Sequence, residues 1–224
     1  VTGTDAGVGK TAVACGILAA LRARGVRAAP FKPVEAGHAP LADGWTADGA
    51  ALRAASGLLL RPEEVVPYPT LEGAAVDLNR LDKGYEAMER QGQMVVVEGA
   101  GGLAVPMRKD PWFTMGDLAA HWALPVLIVA RPGGGTVNHT MLTVEYARRR
   151  GLQVLGVVLN GASAEPTVAE RSNPETIAQM AGVPVLGVLP QRGDVDIAAG
   201  QWQGMAESVE RSLDLWRVQA ILRR

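Results

Sequence analysis

The sequence predicts an α/β protein: a single domain built on a doubly wound, mostly parallel sheet with helices on both faces. Three observations predict it. Short apolar runs at Met94–Val97, Pro125–Ala130, Val154–Asn160 and Val185–Pro190 show no polar alternation, so each reads as a strand buried on both faces. Helix-length segments of roughly 10 to 15 residues alternate with these runs, the pattern of parallel strands joined by right-handed crossovers. The chain also opens on a glycine-rich turn, Gly3 to Gly9, that leads directly into a helix-forming run.

The elements follow in order. Only Val1 and Thr2 precede the first glycine, where a hydrophobic strand is expected, so the chain is expected to lack its natural N-terminus. Thr11–Arg24 forms a helix that Gly25 stops. Val26–Val34 is a short strand running into a proline-stiffened turn, and residues 35–44 read as a loop. Thr46–Ser56 is a helix with Asp48 in its first turn; residues 61–76, with three prolines, read as irregular. Leu78–Gln91 is an amphipathic helix feeding the strand Met94–Val97. Further helices are expected at Met115–His121, Val137–Arg150, Pro174–Ala181 and Glu207–Leu222, with a glycine-rich turn at Arg131–Gly135. No repeat, low-complexity tract or linker divides residues 1–224, which points to one domain.

Composition narrows the function classes. A chain of 224 residues can bury a full core. With 22 basic against 23 acidic residues, it has no bulk charge with which to grip a nucleic-acid backbone or an anionic membrane. Cys15 is the single cysteine; it sits among apolar helix residues and reads as a buried, inert thiol suited to a reducing compartment. No apolar run has membrane-spanning length and no signal peptide is visible, so a soluble, cytoplasmic protein is expected, although a leader could have preceded Val1. His38, His121 and His139 are scattered without metal-finger spacing, and no G-x-S-x-G elbow supports a serine hydrolase.

The chemistry concentrates in two stretches. Thr2–Thr11 (TGTDAGVGKT) reads as a phosphate-binding loop: glycines free backbone N–H groups for phosphate oxygens, Lys10 reaches the outer phosphates, and the Thr11 hydroxyl can ligate Mg²⁺. The usual spacing would place its first glycine at position 4, where Thr4 stands. The second stretch is Met94–Gly102 (MVVVEGAGG), a buried strand ending in Glu98 and a glycine turn, the place where a strand-end carboxylate holds Mg²⁺. Read alone, Lys32 is a surface lysine and Asp48 a helix-dipole partner.

Taken together, Thr2–Thr11, Phe31-Lys32-Pro33-Val34, Val97–Gly102 and Asn138–Thr143 (NHTMLT) resemble dethiobiotin synthetase in order and spacing, over residues 1 to about 190. The resemblance implies ATP- and Mg²⁺-dependent ring closure on 7,8-diaminononanoate with CO₂ or bicarbonate. A substrate amine becomes a carbamate, the carbamate takes the γ-phosphoryl group, and the second amine expels phosphate. Carried over by position, Gly7, Val8, Gly9, Lys10, Thr11 and Ala12 would cradle the phosphates, and Lys10 and Lys32 would be catalytic. Thr11, Asp48 and Glu98 would hold Mg²⁺, and Glu98, Gly99, Ala100 and Gly101 would border the nucleotide. Asn160, Pro190, Gln191 and Arg192 would contact adenine. Lys32 and Ala36 would face the substrate, with Thr136, Val137 and Asn138 at a helix start receiving its carboxylate. The family is a homodimer with the diamine near the interface. Departures are Ala36 and Ala6, where hydroxyl residues are common, and a short connection between Tyr68 and Val76. Two alternatives on the same scaffold are an amidating synthase of cobalamin assembly and a partition-type ATPase. The single helical Cys15 counts against the first, and Asp5, standing where a signature lysine would be, counts against the second.

Overall fold

The computed structural model describes residues 1–35, 40–69, 76–109 and 111–215. Its chain forms two compact units, one comprising Val1–Lys10, Gly101–Arg192 and the segment from Glu210 on, the other Thr11–Ala100 and Gly193–Val209.

The first unit is built on a four-stranded parallel sheet. Its strands are β1 (Thr2–Gly3), β6 (Val126–Ala130), β7 (Val154–Ala162) and β8 (Val185–Pro190), lying in that order. All five residues of β6 are buried, so both faces of this strand are covered, as its unbroken apolar sequence requires. Helices α6 (Thr136–Arg149) and α7 (Val168–Ala181) are the crossovers joining β6 to β7 and β7 to β8. Ile128, Ala130, Val157 and Leu159 from the strands meet Val144 of α6 and Ile177 and Ala181 of α7 in one buried cluster. Each large aliphatic side chain buried this way is worth about 1.5–3 kcal/mol. The mostly parallel α/β architecture read from the sequence is what the protein adopts.

Two features here differ from the sequence reading, a helix start and a strand pair. The helix expected at Pro174–Ala181 begins six residues earlier, at Val168. Thr167 and Glu170 form a capping box, with Glu170 N–H donating to Thr167 Oγ1 at 3.2 Å and Thr167 N–H to Glu170 Oε2 at 2.7 Å. That nucleus carries the helix through Pro174, which alone read as a starting residue. Between Ala100 and β6 lies an antiparallel pair that the sequence reading did not include, β4 (Pro106–Lys109) and β5 (Trp112–Thr114). These strands are three and four residues long and partly exposed, too short to display a period. Thr114 then caps α5 (Met115–His121) through a second box with Asp117.

In the second unit, β2 (Ala28–Phe31) and β3 (Met94–Val97) pair in parallel, Phe31 opposite Val97. Around them stand α1, which runs Lys10–Ala23 and so starts at the last residue of the first unit, α2 (Ala47–Ser56), the one-turn α3 (Pro62–Val65) and α4 (Leu78–Gln91). The α3 turn interrupts the stretch read as irregular; Pro62 at its first position supplies a pre-set φ. Phe31 is fully buried, and its ring lies 3.0 Å from where a Cβ on Gly84 of α4 would sit, so glycine there gives the close approach of helix to ring its room. Helix α8 spans Gln203–Ser212, beginning four residues before the expected start at Glu207; residues 216–222 of that expected helix lie outside the described residues. Its Met205 and Val209 close on Gly16 of α1, where a Cβ would fall 2.6 Å from Val209 Cγ2. It ends where Asp214 N–H turns to bond Leu186 O of β8 at 3.0 Å.

Candidate active site

In open parallel sheets, ligands bind beyond the carboxyl ends of the strands. The first unit gathers four of the sequence-selected segments at that edge: the loop to Lys10 after β1, the Arg131–Gly135 turn after β6, Asn160 near the end of β7, and Pro190–Arg192 after β8. The loop is built from backbone. Thr4 N–H bonds Val129 O at 3.0 Å, and Lys10, itself buried, donates from Nζ to Asp5 O at 3.0 Å. Gly9 has φ +90°, and any Cβ there would run into the Asn160 carboxamide. That carboxamide holds the loop, donating Nδ2–H to Val8 O at 3.0 Å, while its Oδ1 is buried with no partner among the described residues. An orphaned acceptor at this edge suits a nucleotide base donor. Arg131, which the sequence reading passed over, reaches Gly7 O at 3.5 Å; its one signal was its position at a strand end before a glycine run.

The second unit holds a charged cluster. Because β2 and β3 are parallel and in register, Lys32 and Glu98, the residues just past their carboxyl ends, emerge side by side. Their backbones are pinned by Lys32 N–H to Val65 O at 2.8 Å and Glu98 N–H to Phe31 O at 2.9 Å. Lys32 Nζ lies 2.8 Å from Glu98 Oε1 and 2.5 Å from Asp48 Oδ2. Asp48 comes from the first turn of α2, whose N-cap Thr46 accepts from Gly49 N–H at 3.1 Å. Thr11, second residue of α1, donates its hydroxyl to Glu98 Oε1 at 2.8 Å. Lys32 is 3% exposed and Glu98 fully buried. Burial disfavours the Lys32 ammonium, but the Glu98 and Asp48 carboxylates outweigh it and hold the lysine above its ordinary range, so it stays charged. Glu35 is also buried, and burial pushes its carboxyl up from the usual value.

This cluster fits a hard divalent cation. Glu98 Oε2 is buried without a partner among the described residues, and the donors are two carboxylates and a hydroxyl, all oxygen. No group of three or more His, Cys, Asp or Glu positioned for a metal occurs among the described residues. A set this sparse suits Mg²⁺, which keeps waters and takes substrate phosphates as its remaining ligands, and does not suit an all-protein cage.

A family model described as an AAA domain matches residues 1–199, running through both units. The ATP-dependent dethiobiotin synthetase BioD of an Anaeromyxobacter species (strain K) is 44% identical over 206 residues, covering 87% of this chain and 90% of that protein. Its counterpart in Bacillus licheniformis is 41% identical over 205 residues, covering 87% and 86%. The chain belongs to the dethiobiotin synthetase family. The synthetase of Aquifex aeolicus is 39% identical over 220 residues, covering 93% of this chain and 96% of that one. Among solved structures, the MinC:MinD cell division complex of Aquifex aeolicus matches with a TM-score of 0.58 at 15% identity, covering 94% and 93% of the two chains. The cell division ATPase MinD of Pyrococcus furiosus matches with 0.54 at 19%, covering 94% and 96%. These two likenesses bear on the fold alone.

For this family member, Thr11, Lys32, Asp48 and Glu98 converge on one cluster although 87 residues of sequence separate the first from the last. Gly99 and Ala100 follow Glu98 in the same unit, and Gly101, at φ +61°, begins the return to the first. Ala12, next after Thr11, is buried in α1. Thr136, Val137 and Asn138 form the start of α6, whose N-cap Gly135 (φ +80°) supplies no side-chain bond. Thr136 Oγ1 is buried there without a partner among the described residues. Ala36 lies outside the described residues. Cys15 is fully buried, and burial together with Glu98 and Asp48 pushes its thiol well up, in keeping with an inert group. No helix among the described residues is long and apolar enough to cross a membrane.

Proposed function

We propose that this chain converts 7,8-diaminononanoate, CO₂ and ATP into dethiobiotin, ADP and phosphate. The observation that carries the reading is Lys32: a buried ammonium shared by two carboxylates just past a strand end, in a chain of this family. Phosphoryl transfer to a carbamate develops negative charge that a preorganised cation in this position stabilises.

The backbone N–H groups of Gly7 to Ala12 would bind the phosphates and Lys10 would neutralise the γ-phosphoryl group. Thr11, Asp48 and Glu98 would hold Mg²⁺, which would supply positive charge to offset that of the phosphates. Lys32 would stabilise the carbamate and the oxygen that attacks phosphorus; the second substrate amine then attacks the carbonyl of the mixed anhydride, closing the ureido ring and releasing phosphate. Glu98 to Gly101 would flank the nucleotide, and Asn160 with Pro190, Gln191 and Arg192 would read adenine. The start of α6, Thr136 to Asn138, would receive the substrate carboxylate, an anion that a helix N-terminus attracts. Lys32 and Ala36 would line the substrate side. We further infer one ATP-binding domain over residues 1–224, acting as a cytoplasmic homodimer. Incubation with Mg·ATP, bicarbonate and the diamine, followed by mass spectrometry, should give dethiobiotin and ADP only when all components are present. ADP release that ignores the diamine would overturn the reading.

A further inference from the structure

Asn173 lies on the second turn of α7, a helix it does not favour, directly before Pro174. Asparagine is a poor helix former and an internal proline costs a helix about 3 kcal/mol, so a helix interior is a costly place for this pair. The side chain is buried at 9% exposure, and its whole donor capacity goes to one place. Nδ2 donates to Pro132 O at 2.7 Å and to Gly133 O at 3.2 Å, two successive carbonyls of the turn that leads into α6.

Geometry turns those two bonds into a consequence for the N–H groups. A peptide unit is planar and trans, so its N–H points opposite to its C=O. Fixing the Pro132 carbonyl toward α7 directs the Gly133 N–H away from it, and fixing the Gly133 carbonyl does the same for the Gly134 N–H. Among the described residues neither N–H is paired. Side chains at Gly133 and Gly134 would meet nothing within 4 Å, so the space beside this turn is open. The turn is also held by Thr136 N–H to Gly133 O at 3.3 Å, a bond longer than either that Asn173 makes to it. The unpartnered, buried Thr136 hydroxyl stands at the same helix start.

We propose that Asn173 is a positioning residue for the substrate carboxylate: by holding the Pro132 and Gly133 carbonyls it turns the Gly133 and Gly134 N–H groups, with the first turn of α6, into one anion-binding set. This rests on the reading that the start of α6 receives the carboxylate. Asn173 itself touches no substrate. Its effect is therefore specific to ligands that carry the anion.

The test compares KM for the diamine acid with KM for its methyl ester, in the wild type and in Asn173→Asp and Asn173→Ser. Asn173→Asp keeps the shape but replaces the donor with an oxygen that repels the carbonyls; Asn173→Ser shortens the side chain. Melting midpoints establish that each variant is folded, and either folded variant decides. In the wild type the acid should bind better than the ester. In the variants KM for the acid should rise about 10-fold, the scale of a helix-terminus anion contact, while KM for the ester, KM for ATP and kcat change less than about two-fold. A general loosening of the fold would move all four together. If the wild type prefers the acid and folded variants keep that preference, the Asn173 proposal is overturned and the carboxylate reading stands. If the wild type treats acid and ester alike, the carboxylate reading fails and the proposal falls with it.

Discussion

The phosphate loop and the Lys32 cluster solve the same electrostatic problem in opposite ways. The loop, in the first unit, is made of glycines and main-chain N–H groups, and it keeps its shape through bonds such as Asn160 to Val8 O. The cluster, in the second, is made of buried side-chain charges that hold one another, Lys32 between Asp48 and Glu98. A backbone site is insensitive to which side chains surround it and sensitive to added Cβ atoms. A charge cluster is the reverse, because each member is held in place by partners that become unpaired when it is removed.

That contrast can be broken by substitution. The largest effect should come from Lys10→Ala, which removes the loop's cation: turnover should fall by about 10³-fold or more, with ATP binding largely lost, as read by calorimetry. Lys32→Ala should lower kcat by roughly 10²- to 10³-fold while ATP affinity changes little. It should also destabilise the metal-free protein by about 3–5 kcal/mol, since Glu98 and Asp48 lose their shared cation. A variant of normal stability and turnover would remove Lys32 from the centre of the cluster. For Glu98→Gln, the Mg²⁺ concentration needed for half-maximal activity should rise roughly 10-fold or more; an unchanged Mg²⁺ titration would take Glu98 out of the metal site. Gly9→Ala should cost about 1–3 kcal/mol in stability, the scale for a strained left-handed residue, because Asn160 already fills the space. The smallest expected effect is at Cys15, whose raised thiol pKa and full burial should keep it unreactive toward a thiol reagent at pH 8 until the protein unfolds.

The same contrast explains how much was legible in the sequence. The loop is contiguous, so glycine spacing and the helix after it read directly as a phosphate site, and the doubly buried strands announced a parallel sheet. Lys32 and Asp48 look ordinary in sequence, because what makes them special is the register of Phe31 with Val97 and the capped start of α2, which no local pattern displays. Only the family pattern promoted them. Asn173 and Arg131 carried no motif at all; their partners are main-chain carbonyls, and such a bond leaves no trace in side-chain chemistry. The helix α7 was read short because Pro174 spoke louder than the Thr167–Glu170 box upstream. The β4–β5 pair was missed because three or four residues cannot display a period.

The pairing of β2 with β3 joins segments 66 residues apart, Ala28 with Met94 through Phe31 with Val97. Contacts of such high sequence separation must close a long loop before they return any energy, and they form late for that reason. During synthesis the ribosome releases Lys32 and Asp48 well before Glu98 exists, so the nascent chain carries a lysine whose buried home cannot yet form. The local helices can gain their hydrogen bonds early, but Lys32 acquires its environment only when the second strand arrives, which makes the charged cluster one of the last things this chain assembles as it folds.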